Sequence, residues 1–321
     1  MLSDHSFLRL LIAPIASMAV LAYCPQQALA QAVEMWSLDR VMQPGLKPKV
    51  EGGIAIEPRC WRSLLVFKSQ LGSCTASIIG PRALLTAAHC VGNGASATAM
   101  ISDQPVDVVK CVHHKHAAAH TAYDFALCEL KKPYELGPSE EPFFENVSSD
   151  PALVVPGGKI DLLGFGCTTK KTAGGWVVTR ERADFGTLYR GVGVDVVCTP
   201  SDPTGGPSGG SKCKHLPFLQ RPREPVITLV NGKNLAPETG AGGIALCQGD
   251  SGGGGYHHDG KSRTLIGVNS RRPDDGTYDS YLASTGAETF TSWARAWSAD
   301  KGGICGLDPG TKGCRKSGCS D

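Results

Sequence analysis

The sequence predicts an all-β protein, on two observations. Short apolar or alternating runs, broken by Gly, Pro and Asn, recur between residues 50 and 290, and such runs are typical of strands in a β-barrel or β-sandwich. Glycine is also abundant, at 40 of 321 residues, or about 12% against a usual value near 7%. The predicted strands cover residues 63–67, 75–79, 83–87, 106–112, 125–130, 160–164 and 265–268.

Composition restricts the classes of partner. Hydrophobic residues make up 41% of the chain and charged residues 19%, which is typical of a folded globular protein. The formal net charge is only +2, so we expect neither a nucleic-acid partner nor a stable association with an anionic membrane. We expect a monomer.

The first 30 residues are typical of a signal peptide. Arg9 precedes the apolar run 10–22, and an A-x-A cleavage signal ends at Ala30. The run is shorter than the ~20 residues that a membrane span needs. We therefore expect a secreted protein, either extracellular or periplasmic.

Cysteine usage agrees with export. Of 13 cysteines only Cys24 lies in the predicted signal peptide, and an even, high number after such a segment indicates disulfides rather than a zinc site. The expected local bridges are Cys74–Cys90, Cys111–Cys128 and Cys198–Cys213. The sequence does not assign partners to Cys60, Cys167, Cys247, Cys305, Cys314 and Cys319.

One helix is predicted near the C-terminus. Thr285 and Glu288 have the spacing of a capping box. Phe290, Trp293 and Trp297 then recur at helical spacing, so we expect this helix to pack on the surface of the β-structure. From Lys301 the chain is glycine-rich and contains three cysteines, which predicts a stapled tail.

Two distant motifs suggest nucleophilic chemistry. Ser251 lies among glycines that allow backbone N–H groups to turn toward a substrate oxygen. His89 supplies the base that a serine needs to attack a carbonyl, and Asp124, just before an apolar run, can be buried and orient the imidazole. Asp103 and Asp107 are rivals, but neither opens an apolar strand in this way.

These motifs resemble the trypsin/chymotrypsin family. The matching pieces surround His89, Asp124 and Ser251, and their order along the chain is that of this family. The resemblance implies two six-stranded antiparallel β-barrels with the active site in the cleft, Gly249 and Ser251 as oxyanion donors, and no cofactor or metal. The implied organisation is a signal peptide, a propeptide, an N-terminal barrel, a C-terminal barrel with its helix, and a Cys-rich tail, over residues 1–30, 31–49, 50–150, 151–299 and 300–321.

The resemblance also implies activation by proteolysis. Val50 and the residues after it resemble the mature N-terminus of the family, and Lys49 would be the site of a trypsin-type cut by an activating protease. The freed Val50 ammonium would then pair with Asp250 and order the oxyanion hole. The alternative is a glycine turn in a chain that is active without this cut.

Residues around the expected primary pocket bear on substrate specificity. Ala245 lies at the expected floor of the primary pocket, where trypsin-type members carry aspartate, so small or apolar side chains are expected before the cleaved bond. Ser270 resembles the serine of the family's substrate-binding strand, and Gly276 resembles part of the pocket wall. Arg271 and Arg272 replace the usual Trp and Gly; they would narrow the pocket, favour acidic substrates, or lie solvated on its rim.

The sequence therefore predicts a secreted serine endopeptidase that acts on proteins or peptides through an acyl-enzyme. One alternative is a catalytically inactive, protease-like binding module. Another is an esterase that does not cleave peptide bonds. A cluster of histidines before Asp124, at positions 113, 114, 116 and 120, is interpreted as a solvated loop, since no carboxylate or cysteine pattern completes a metal site.

Overall fold

In the computed structural model the described residues are 46–47, 50, 52–56, 58–101, 104–118, 122–134, 144–166, 168–172, 175–179, 187–200, 227–233, 235, 243–273 and 277–315. They belong to the compact unit Gly45–Asp321. The predicted signal peptide and the loop 201–211 lie outside them, as do Lys49, Cys213 and Gly276. Within this part of the chain, no helix has both the length and the apolar character needed to cross a membrane.

The described secondary structure is mostly β. In chain order the strands are β1 Leu46–Lys47, β2 Ile54–Ile56, β3 Leu64–Ser69, β4 Gly72–Gly80, β5 Ala83–Thr86, β6 Ala97–Ile101, β7 Gln104–His113, β8 Ala126–Leu130, β9 Lys159–Gly164, β10 Thr168–Thr172, β11 Gly175–Thr179, β12 Leu188–Cys198, β13 Ile227–Asn231, β14 Gly254–His258, β15 Arg263–Arg271 and β16 Asp279–Ser284. Each of the seven predicted strands overlaps one of these, so those predictions are confirmed.

The first barrel is closed by six antiparallel strands in the order β3-β4-β5-β8-β7-β6, with β6 returning to β3. Its interior is apolar because these strands turn large side chains inward. Phe67, Ile78, Leu85 and Leu127 are each fully buried. Burying such side chains is the main favourable contribution to folding.

The second barrel follows the order β13-β16-β15-β14-β9-β12, and β12 pairs back onto β13. One half of β12 also pairs with β2, so that residues 54–56 lie along the outside of this barrel. The predicted pair of six-stranded antiparallel barrels is thereby confirmed. A separate small sheet has the order β1-β10-β11.

The predicted helix, α1, spans Glu288–Ser298 and packs against the first barrel. The fully buried ring of Phe290 lies 4.7 Å from that of Phe125 between centroids. The capping-box prediction is wrong, because the N-cap is Ala287 and has no side-chain cap. The Thr285 hydroxyl instead donates to the Leu265 carbonyl at 3.2 Å, which holds the chain against β15 before the helix begins.

The tail after α1 is stapled to the segment that joins the two barrels. The Cys305–Cys314 disulfide closes the tail. The Cys305 N–H donates to the Ile79 carbonyl of β4, and its carbonyl accepts from Val147, both at 2.8 Å. These bonds tie the C-terminal residues to the first barrel and to the inter-barrel segment.

The inter-barrel segment carries a buried ion-pair cluster. Glu145, fully buried, accepts two bonds from the Arg263 guanidinium at 2.6 and 3.0 Å and one from the Ser63 hydroxyl. The same guanidinium stacks on the Trp61 ring, with its carbon 3.3 Å from the ring centroid. Burial raises the carboxyl pKa of Glu145, but Arg263, together with Arg315 and the Ser63 hydroxyl, more than offsets this, so that the pKa lies below its usual value.

Candidate active site

His89 and Asp124 reach the same end of the first barrel because their strands are paired. Antiparallel β5 and β8 place Thr86 opposite Ala126. His89 follows β5 by three residues, on the 3-10 helix Ala88–Cys90, and Asp124 precedes β8 by two. The side chains on either side of His89 are buried, whereas its own is 44% exposed.

Asp124 is held by three donors. Its Oδ2 lies 2.7 Å from Nδ1 of His89 and accepts from the Ser270 hydroxyl at 2.6 Å, while Oδ1 accepts from the His89 backbone N–H at 2.9 Å. Burial of this carboxyl raises its pKa, but the bonds from His89 and Ser270 more than offset that, so the pKa lies below its usual value. An ionised Asp124 requires the proton of neutral His89 on Nδ1, which leaves Nε2 as a base.

The loop that carries Ser251 consists of tight turns that require glycine. Gly249 has φ 99° and Gly252 φ 82°, in the left-handed region that residues with a Cβ rarely adopt. The Asp250 N–H donates to the Cys247 carbonyl at 3.0 Å, and Gly253 donates to the Asp250 carbonyl at 2.9 Å. Ser251 therefore lies at the tip of two consecutive turns, with its side chain partly exposed.

The Ser251 loop packs directly on the strands that lead to His89. Thr75 donates its N–H to the Ser251 carbonyl at 2.8 Å and its hydroxyl to the Gly249 carbonyl at 2.9 Å. A Cβ on Gly252 would lie 2.1 Å from the Thr86 hydroxyl and 3.1 Å from the Ala87 nitrogen. Only a residue without a side chain allows this approach, which brings Ser251 beside the 3-10 helix that carries His89.

Two backbone N–H groups of this loop, those of Gly249 and Ser251, are the predicted oxyanion donors. Among the described residues, neither Gly249 nor Ser251 donates its N–H to a protein oxygen. Such groups are suited to bind a negatively charged oxygen of a reacting carbonyl.

The comparison with protein families decides the identity. The trypsin family model matches residues 52–220, which is more than half of the chain. The chain belongs to the trypsin/chymotrypsin-like serine protease family. The matched residues include His89 and Asp124 and end before Ser251, so the assignment of the nucleophile rests on its motif and on the loop geometry. A search of curated proteins found no match.

Two disulfides of the first barrel lie near the candidate site. The structure contains Cys74–Cys90, beside His89, and Cys111–Cys128, between β7 and β8, as expected from the sequence. Cys60, Cys198 and Cys247 are also disulfide-bonded. The expected Cys198–Cys213 pair includes a residue outside the described ranges and stays a prediction.

Two of the side chains near the site that could bind a metal are cysteines already joined in a disulfide. Cys74, His89 and Cys90 come close enough to one another to surround an ion. Both sulfur atoms are bonded to each other in the disulfide, so they are not available as thiolate ligands.

Of the histidine cluster, His114 is buried against aromatic residues rather than solvated. Its ring stacks on Tyr123 at 4.9 Å and meets Trp293 of α1 edge-on at 5.2 Å. The expectation of a solvated loop is therefore wrong for His114, because the imidazole fills the contact between the first barrel and α1. His120 lies outside the described residues.

The residues predicted for the specificity pocket have different surroundings. Ala245 is fully buried, and its neighbour Leu246 donates its N–H to the Ser280 hydroxyl at 3.0 Å. Ser270 turns its hydroxyl toward Asp124, which the sequence did not indicate. Arg271 and Arg272 follow it at the end of β15, both partly buried, and Nε of Arg271 lies 3.4 Å from the Ser270 hydroxyl. Gly276 is not among the described residues.

Two groups predicted to act in activation are buried. Val50 has no exposed surface and packs with Ile244 in the core of the second barrel, at φ 58°. Asp250 is fully buried, and its carboxylate accepts the N–H groups of Gly166 and Cys247, both at 2.8 Å. The buried Asp250 carboxylate thus joins the start of the Ser251 loop, at Cys247, to Gly166 in the segment after β9.

Proposed function

We propose that this chain is a secreted endopeptidase that hydrolyses peptide bonds through an acyl-enzyme on Ser251. The observation that carries the proposal is the buried Asp124 carboxylate, bonded to both Nδ1 and the backbone N–H of a His89 whose side chain is 44% exposed. Such a carboxylate fixes the tautomer of the imidazole, and the Ser251 loop packs beside it.

The proposed reaction assigns a role to each of these groups. Nε2 of His89 takes the Ser251 proton as the hydroxyl oxygen attacks the carbonyl carbon, and the Gly249 and Ser251 N–H groups stabilise the resulting oxyanion. The intermediate collapses when the amine leaves with the proton held by His89. A water molecule, deprotonated by the same imidazole, then attacks the ester carbonyl carbon. The imidazolium gives this proton to the departing Ser251 oxygen, and the acid product is released.

Hydrolysis of a protein substrate tests the proposal. The mature protein is expected to cut casein or a denatured protein at internal peptide bonds, detected by mass spectrometry of the fragments. Turnover of a small ester without any cleavage of peptide bonds would contradict an endopeptidase and favour the esterase alternative.

We further propose that the chain is exported by residues 1–30 and activated by a cut after Lys49 by another protease. Positive φ is a strained conformation for a β-branched residue such as Val50, at about 1–3 kcal/mol. Cleavage of the 49–50 bond abolishes that torsion and supplies an ammonium group that we expect to pair with the buried Asp250. N-terminal sequencing of active enzyme should begin at Val50, and a start at Gln31 would contradict this step.

For primary specificity, we propose small or apolar side chains before the cleaved bond. Ala245 and Leu246 offer no charge to hold Lys or Arg, unlike a trypsin-type floor. Arg271 ends β15 and Arg272 follows it. In these positions the two side chains would narrow the pocket or favour acidic residues elsewhere in the substrate. A peptide library distinguishes these options, and a strict preference for Lys or Arg at the cleaved bond would refute the apolar floor.

A further inference from the structure

Thr75 is the one side chain of the first barrel, among the described residues, whose hydroxyl donates to the Ser251 loop. It follows Cys74 on β4 and is fully buried. Its hydroxyl donates to the Gly249 carbonyl at 2.9 Å and accepts the Phe165 N–H at 3.0 Å. A single buried oxygen therefore binds two different segments of the second barrel.

The backbone of Thr75 extends the same set of contacts in both directions. Its N–H donates to the Ser251 carbonyl at 2.8 Å, and its carbonyl accepts from the Thr86 hydroxyl at 2.8 Å. Thr86 ends β5, three residues before His89. The carbonyls on either side of Asp250 are thus held by one residue, which is itself bonded to the strand that leads to the base.

Gly249 is the residue that most needs such an anchor. It has no side chain, has φ 99°, and contributes a proposed oxyanion donor from its own N–H. A glycine in this region has neighbouring conformations of similar energy, and rotation about its backbone would swing the N–H out of line. The Gly249 carbonyl belongs to the peptide after its Cα, and the N–H belongs to the peptide before it. Holding the carbonyl on Thr75 fixes the peptide after the Cα and so restricts the rotation available to the N–H.

We propose that Thr75 is a positioning residue, whose hydroxyl holds the Gly249 carbonyl and so fixes the Gly249 Cα from which the oxyanion-binding N–H extends. The inference rests on the proposed function. The hydrogen bonds of Thr75 given above go to Gly249, Ser251, Phe165 and Thr86, and none of these goes to the imidazole. Pre-organised donors of this kind cost no reorganisation at the moment of reaction. Thr75 therefore acts on the transition state and not on substrate affinity.

The test compares kcat and KM in Thr75→Val, Thr75→Ser and wild type. Valine keeps the shape and removes the hydroxyl, so kcat should fall about 10- to 100-fold, less than the ~10²–10³ for loss of a donor outright. KM should change little, because the lost interaction belongs to the transition state. Serine restores the hydroxyl and should return kcat to near the wild-type value.

Two further readouts separate positioning from a loss of structure. The pH dependence of kcat/KM should be unchanged in Thr75→Val, since Thr75 contacts neither His89 nor Asp124. The matched control is Thr285→Val, which removes an equally buried hydroxyl, with its bond to Leu265, away from the site. This control should lower thermal stability without lowering kcat.

Each result supports or overturns the inference. Wild-type kcat in folded Thr75→Val, equal losses in Thr75→Val and Thr285→Val, or no recovery with serine would each overturn it. If the valine variant does not fold, Thr75→Ala removes the same oxygen without added bulk, and wild-type kcat in that variant has the same meaning. An inactive wild-type protein would instead refute the proposed function, and this inference with it.

Discussion

Two buried carboxylates join the barrels, and they differ in their partners. Asp124 extends from the first barrel to Ser270 of the second, and Glu145 connects Ser63 of the first barrel to Arg263 of the second. Both are buried and both have a lowered pKa.

The difference lies in the cation that each one faces. Glu145 bonds a guanidinium that is 5% exposed and cannot release its proton in a protein. Asp124 bonds an imidazole that is 44% exposed and can take up and release one. The same burial therefore produces a permanent ion pair in one place and a group able to transfer protons in the other.

The largest effect is expected at the nucleophile that this imidazole would activate. Ser251→Ala removes the attacking oxygen, so turnover should fall about 10⁶-fold, as for serine removal in a comparable triad, while substrate binding is largely kept. Steady-state kinetics with a protein or peptide substrate measure the loss. Hydrolysis near the wild-type rate would exclude Ser251 as the nucleophile.

The next largest effect tests Asp124 itself. Asp124→Asn keeps the shape and presents an amide to Nδ1, which favours the wrong tautomer of His89, so turnover should fall about 10⁴-fold. Asp161→Asn is the matched control, because this second-barrel carboxylate is also buried, with Oδ2 2.7 Å from the Arg190 guanidinium. If both variants lose turnover equally, Asp124 has no special role.

A smaller loss is expected when Asp124 loses its donor from the second barrel. Ser270→Ala removes one charge-assisted hydrogen bond, worth about 1.5–3 kcal/mol, and should lower kcat/KM by roughly tenfold. The carboxylate keeps both bonds from His89, which limits the effect. A loss as large as that of Asp124→Asn would mean that Ser270 acts directly on the substrate.

Turnover should change least at Glu145, where stability changes instead. Glu145→Gln leaves the Arg263 charge buried without its counter-ion, which should cost about 3–5 kcal/mol of unfolding free energy. Urea unfolding measures this, and Asp107→Asn is the control, since its pair with Lys131 is exposed on both sides. Little change in stability with a large loss of turnover would reverse the proposed division of roles.

The pH dependence of stability also tests the contribution of the Glu145 ion pair. Because the pKa of Glu145 is lower in the folded state than its ordinary 4.5, protons bind the unfolded chain more readily. Its contribution is complete above about pH 4.5 and is lost as the pH falls toward the folded-state pKa. As the pH falls from neutral to below about 4.5, Glu145→Gln should therefore lose less free energy of unfolding than wild type does.

Much of the framework could be predicted because its signals are local. Runs of apolar residues predicted seven strands, and the residues around His89, Asp124 and Ser251 predicted which elements would approach. A strand such as β14, Gly254–His258, was missed because glycine and histidine give no alternating apolar pattern. The Cys305–Cys314 pair was unassigned because connectivity does not follow from spacing alone.

The positions that escaped prediction depend on contacts between distant residues. Thr75 and Gly249 are separated by 174 positions, and nothing beside Thr75 in the sequence marks its hydroxyl. Ser270 was expected on the substrate-binding strand, and β15 shifts register around this residue, between Asn269 and Arg271. Strand alternation alone does not predict the direction of a side chain at such an irregularity, and the Ser270 hydroxyl donates to Asp124.

The central claim is that an imidazole held by Asp124 activates Ser251, and covalent labelling tests it most directly. A fluorophosphonate probe reacts only with an activated serine, so the mature wild-type protein should bind one probe, found on the peptide that contains Ser251, and Ser251→Ala should bind none. An unlabelled wild-type protein, or a probe attached equally to Ser251→Ala, would contradict the account and favour a protease-like binding module.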